Sequence, residues 1–276
     1  MARNPSLHWR TLVAVLCRGA IACAFALLSA CGSTPTNDET AGWSAQKIYT
    51  EAREEMRSGT WERSIKLLES LESKYPFGRY GQQAQMDIAY AYWKNNDLTS
   101  AVAACDRFIK LYPGHEHLDY VYYLRGLVLF NEDLGFLGKV SRQDPTERDG
   151  RALRESFDTF KILLTRFPES KYADDARLRI KYLVNALAQY EIHVARYYMK
   201  RAAYLAAVNR AQYVIKTYPD APAQEEALYI MVSAYEAMGL NELRDDARKV
   251  LDLTYPNSTI VRNKGPRSND PWWKIW

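Results

Sequence analysis

Residues 86–113 read MDIAYAYWKNNDLTSAVAACDRFIKLYP. Two apolar stretches flank Asn95-Asn96, and the segment stops at Tyr112-Pro113. Asn, like Gly, tolerates the left-handed backbone that closes a helix, and the residue before a proline is pushed out of the helical region. The segment therefore reads as helix A, a turn at Asn96, helix B, and an aromatic-Pro stop.

The same signature recurs along the chain. Aromatic-Pro pairs stand at Tyr75-Pro76, Tyr112-Pro113, Phe167-Pro168, Tyr218-Pro219 and Tyr255-Pro256, with successive prolines 37, 55, 51 and 37 residues apart. Gly59, Asn96 and Gly239 each lie 17 residues before one of these prolines. Helix B carries apolar residues at helical steps: Trp61, Ile65, Leu68 and Leu71; then Leu98, Val102, Cys105 and Phe108; then Phe157, Phe160, Leu164 and Phe167; then Leu205, Val208, Ala211 and Ile215. Steps of three and four place each set on one helix face. A period near 34 with two helices and a terminal Pro is the tetratricopeptide pattern, and Ala89, Tyr92, Ala101 and Pro113 fall at its small, aromatic, small and Pro positions. The expected fold is all-α, a tetratricopeptide-like solenoid of five helix pairs over residues 44–256. An irregular helical bundle is the alternative. The longer third unit places an inserted loop at Asp133–Gly150, where Gly and Pro cluster. The fourth unit has 14 residues more than the 37-residue period and no Gly or Pro between Pro168 and Pro219, so its extra length reads as added helix.

Outside the repeats the chain changes character. Residues 1–30 hold Arg3, Arg10 and Arg18, no acid, and an apolar run ending in small residues, the makeup of an export signal. Leu28-Ser29-Ala30-Cys31 resembles the bacterial lipobox, so Cys31 is the expected lipidation site, with a flexible tether over residues 31–43. Gly32 after the Cys directs the expected anchor to the outer membrane by analogy with lipoprotein sorting. Cys17 and Cys23 would leave with the signal, so Cys105 remains and no intrachain disulfide is expected. Without the signal the chain is near neutral, and nucleic acid is not an expected partner. Residues 257–276 form a basic tail with Trp272, Trp273 and Trp276, suited to docking, to a membrane interface, or to packing on the last repeat.

The residues offer little to an enzyme. The sequence has no nucleophile elbow, phosphate loop or zinc-type Cys/His spacing. His115-Glu116-His117 lacks a third ligand partner, and the paired acids Asp174/Asp175, Glu225/Glu226 and Asp245/Asp246 suit helix starts. No enzyme, metal or cofactor is expected. Residues 171–218 contain nine Lys and Arg against three acids, interleaved with tyrosines, which reads either as an interface for an acidic partner or as a solvated helix face.

Cys31, Tyr75-Pro76-Phe77-Gly78, Asp106-Arg107-Phe108-Ile109, the run Asp119 to Leu127, and Tyr197-Tyr198 followed by Arg201 and Ala207-Val208-Asn209-Arg210 together resemble the BamD family of outer-membrane β-barrel assembly lipoproteins. The resemblance implies an outer-membrane anchor on the periplasmic side and binding to the POTRA region of BamA through the C-terminal repeats. It also implies contacts with other Bam lipoproteins and reception of unfolded barrel proteins. Lys200, Arg201, Asn209 and Arg210 are the implied BamA-facing patch. Tyr49, Arg53, Tyr90, Lys94 and Tyr123 on the A helices are the expected groove for a substrate's C-terminal peptide. The competing readings are a periplasmic repeat lipoprotein coordinating peptidoglycan and outer-membrane growth, and a cell-wall glycosidase on a helical superhelix.

Overall fold

The computed structural model describes residues 38–132, 150–258 and 260. Among them stand ten helices and no strand: α1 (Ala45–Ser58), α2 (Trp61–Lys74), α3 (Arg79–Lys94), α4 (Leu98–Leu111), α5 (Leu118–Glu132), α6 (Arg151–Arg166), α7 (Ala173–Lys200), α8 (Tyr204–Thr217), α9 (Gln224–Ala237) and α10 (Asn241–Thr254). Each packs on the next in chain order. The odd-numbered A helices also touch one another, α1 on α3, α3 on α5 and α7 on α9, so they share one side of the array. This is the expected all-α array of five helix pairs.

The repeat is visible in backbone geometry. Tyr75, Tyr112, Phe167, Tyr218 and Tyr255 end the five B helices with φ from −125° to −132° and ψ from 60° to 64°. Each donates its N–H four residues back, to Leu71, Phe108, Leu163, Val214 and Leu251, at 2.8–2.9 Å. Those five acceptor residues bury their side chains in the core. The proline that follows has no N–H to give, so the helix stops there.

The turns between A and B helices are equally regular. Gly59 (φ 79°), Asn96 (φ 62°) and Gly239 (φ 72°) are left-handed, as their spacing predicts. Ala202 is a fourth, with φ 56°, and it too stands 17 residues before its proline, Pro219. At all four sites the N–H of the left-handed residue and that of its successor bond back to the end of helix A, as in Ala202 to Met199 (3.1 Å) and Ala203 to Tyr198 (3.0 Å). The fourth repeat thus turns at the same register with an ordinary L-residue in the strained conformation.

Its length goes into α7, which has 28 residues where α1 and α8 have 14. At about 1.5 Å per residue, the additional helix is about 21 Å long. Of the predicted loop, Asp133–Gly150, only Gly150 lies within the described residues, where it precedes α6.

In the first four repeats the paired helices approach closely at the position 12 residues before the proline. Ser64, Ala101, Ser156 and Ala207 occupy it and are fully buried. Ser64 Oγ donates to the Ala52 carbonyl at 3.0 Å, and Ser156 Oγ to that of Gly126 at 2.9 Å. A Cβ on Gly126 would lie 2.5 Å from the Phe160 ring, so glycine is what lets α5 and α6 meet. The predicted B-helix stripes shift accordingly. Leu163 rather than Leu164, and Val214 rather than Ile215, enter the core, and Leu205 is exposed.

Cys105 is fully buried, and burial pushes its thiol up to about 12, which leaves it inert. Among the described residues, no helix is long and apolar enough to cross a membrane. Cys31, the expected export signal and most of the basic tail lie outside the described residues.

Candidate partner-binding surfaces

The A-helix side of the first two repeats is organised around an acid that the sequence analysis passed over. Tyr49 and Arg53 stand one turn apart on α1, and both reach Asp87 on α3. Tyr49 Oη donates at 2.9 Å and an Arg53 guanidinium nitrogen at 3.3 Å, while Gln83 Nε2 donates at 3.2 Å. Asp87 is buried. Burial pushes its carboxyl above the usual carboxylate range, against the hydrogen bonds from Tyr49 and Arg53. The Tyr49 phenol is raised by burial and then by the Asp87 charge. Arg53 nevertheless keeps 43% of its side chain exposed. A lone acid inside the apolar run Ala84 to Ala91 was the available signal, because a buried carboxylate needs partners.

Tyr90 and Lys94 lie further along α3. The Tyr90 ring sits edge-on to Trp61 of α2 (6.0 Å) and to Trp93 (5.9 Å), and Lys94 Nζ lies 5.5 Å from the Trp93 ring centre. Aromatic rings with a cation above them form a surface suited to an apolar side chain and a carboxylate. Tyr123 belongs to a separate cluster. Its Oη donates to Asp175 Oδ2 at 2.8 Å, and its ring stacks on Tyr172 at 4.5 Å. Burial alone would raise the Asp175 carboxyl, but hydrogen bonds from Arg179 and Tyr123 outweigh it and hold it below its ordinary value. Tyr120 connects the two clusters: its ring is 5.8 Å from Tyr172, and its phenol is raised by burial and then by Asp87. The five residues expected to form a groove therefore stand on A helices in three separate groups, and Tyr49, Arg53 and Tyr123 already bond within the array.

The second surface surrounds the end of α7. Lys200 and Arg201 are exposed beside the Ala202 turn, and the Arg201 guanidinium lies 5.4 Å over the Tyr197 ring. Asn209 is exposed and lines a shallow depression with Tyr204, Leu205 and Met238. Arg210 is placed differently. It donates to Glu191 Oε2 at 3.0 Å, and Arg154 of α6 lies 3.5 Å from the other carboxylate oxygen. Glu191 is 2% exposed, so Arg210 joins α8 to α7 around a buried acid instead of standing free. Arg196 likewise grips Glu226 of α9 through both carboxylate oxygens. Arg177 and Arg179 pair with Asp174 and Asp175. Four of the nine cations along residues 171–218 are thus paired within the array, Arg196 and Arg210 across helices, where a linear charge count cannot register the contact.

No group of three potential metal ligands occurs among the described residues. His115 packs against Phe108 and Tyr112, and burial, then His117, lowers its pKa.

These features define a tetratricopeptide-like repeat protein whose polar and aromatic side chains line open faces along stacked helix pairs. The chain belongs to the YfiO family of outer membrane lipoproteins, whose model matches residues 42–251. It is 46% identical over 253 residues to the outer membrane protein assembly factor BamD of Neisseria meningitidis serogroup B, covering 90% of this chain and 95% of that one. It is 40% identical to the factor of that name from Vibrio cholerae (83% and 95% covered) and 37% identical to that of Xylella fastidiosa Temecula1 (87% and 82%). Among solved structures, a kinesin light chain of nearly identical TPR-like repeats aligns with a TM-score of 0.35 at 15% identity, covering 77% of this chain and 96% of that one.

Proposed function

We propose that this chain is a non-enzymatic scaffold of the β-barrel assembly machinery, held by lipid on Cys31 at the periplasmic face of the outer membrane. Its relatives over most of its length are named outer membrane protein assembly factors. The POTRA region of BamA docks on the end of α7, through Lys200, Arg201 and Asn209, with Arg210 holding that surface in place. Unfolded barrel proteins offer a C-terminal aromatic and carboxylate to the A-helix side, where Tyr90 and Lys94 receive them beside Tyr49, Arg53 and Tyr123. Other Bam lipoproteins complete the complex, and no cofactor takes part.

The observation that carries the reading is the exposed Lys200–Arg201 pair at the tip of a helix twice the usual length. Two adjacent cations on a rigid element attract an acidic partner and fix its register. Charge reversal with Lys200→Glu and Arg201→Glu is expected to lower recovery of BamA with the lipidated protein at moderate salt, with far-UV circular dichroism unchanged. Equal recovery would refute the docking surface. Arg210→Glu is a poorer probe, because it sets a second carboxylate against buried Glu191. Tyr90→Ala with Lys94→Ala is expected to reduce crosslinking to a barrel C-terminal peptide, and undiminished crosslinking would move the groove elsewhere. Recovery of peptidoglycan enzymes with no barrel-assembly component would favour the cell-wall reading.

A further inference from the structure

Helix α10 carries an apolar face that its counterparts lack. Leu243, Val250 and Leu253 stand 13, 6 and 3 residues before Pro256. Of the twelve equivalent positions in the first four repeats, ten are polar or small, the exceptions being Ile162 and Tyr213. Steps of seven and three place the three residues on one side of α10, with Leu240 at its start in line. Their exposures are 43% for Leu240, 46% for Leu243, 49% for Val250 and 75% for Leu253. The helix buries only Ala247 and Leu251 against α9. Four large apolar side chains left in water along one side of a helix are unfavourable and mark a surface with an occupant.

We propose that the occupant is the basic Trp-rich segment of this same chain, residues 261–276, folding back along α10 to cap the last repeat. Four features support this occupant. Only seven residues separate Leu253, the last residue of the stripe, from Val261, the first of the segment. The stripe spans roughly 20 Å at ~1.5 Å per helical residue, and the sixteen residues from Pro256 to Trp272 reach about 50 Å when extended. Trp272, Trp273, Ile275 and Trp276 supply the apolar area, since each Trp buries on the order of 150–250 Å². Charge is also favourable: exposed Asp246 sits within the stripe, Glu242 and Lys249 stand at its edge, and the segment offers Arg262, Lys264, Arg267 and Lys274 against Asp270 alone. The ends of such arrays are capped so that their outer face is not left apolar in water. The proposal is independent of the assembly role.

The test uses the full lipidated chain in detergent with p-benzoyl-phenylalanine in place of Val250. After irradiation, mass spectrometry is expected to find intrachain crosslinks to peptides from residues 268–276. Leu253→Asp in the same protein is expected to cut that yield at least fivefold with far-UV circular dichroism unchanged. The same photoprobe in place of Ile162, at the equivalent register of the third repeat, is expected to give no crosslink to the tail. Crosslinks from position 250 to a second copy or to another protein would overturn the proposal, as would products that lack the tail peptides.

Discussion

Ala202 offers a test of the repeat at its least typical turn. Its φ of 56° matches the values at Gly59, Asn96 and Gly239, and its hydrogen bonds match theirs, so the turn imposes the left-handed backbone whatever residue occupies it. An L-residue with a Cβ pays about 1–2 kcal/mol for that conformation. Ala202→Gly removes this strain but admits about 0.5–1 kcal/mol of extra unfolded-chain entropy. The expected net gain is about 0.5–1 kcal/mol, or roughly 1–4 °C in a chain of this size. Gly239→Ala is the mirror experiment: φ there is 72° and a Cβ would meet nothing within 4 Å, so the loss of about 1 kcal/mol is purely conformational. Thermal and urea unfolding of both variants measure the two signs. An Ala202→Gly protein that melts at or below the parent temperature would show that the turn relaxes around alanine, and the argument from shared backbone geometry would fail.

Other outcomes follow from packing and charge. Gly126→Ala is expected to cost about 1–3 kcal/mol, because the new methyl would sit 2.5 Å from the Phe160 ring; an unchanged urea midpoint would mean that α5 and α6 separate freely. The Asp175 carboxyl is held below its ordinary value in the folded chain, so its contribution is complete above about pH 4, the unfolded value, and is lost as pH falls through the folded one. Asp175→Asn is therefore expected to flatten the acid limb of melting temperature against pH, and an unaltered limb would contradict the Tyr123–Asp175–Arg179 contact. Asp87, which burial raises, has the opposite sign: its contribution is present at low pH and declines as pH rises past about 4. Asp87→Asn is accordingly expected to remove a decline on that side, as read from the same melting series.

The sequence by itself determined the repeat. Proline cannot continue a helix and a left-handed turn favours Gly or Asn, so five stops and three turns could be counted along the chain without reference to any contact. The doubling of α7 followed from the same count, because helix length is a local property. Tertiary structure alone decided which charges are free. Arg210 and Lys200 are alike in a linear reading, yet one closes on buried Glu191 and the other stands in water. Asp87 receives Tyr49 and Arg53 only because α1 lies beside α3. The choice of Leu163 over Leu164 for the core had the same origin. Local propensity acts over a few neighbouring residues, whereas pairing, burial and strain depend on groups brought together from 20 to 50 positions apart.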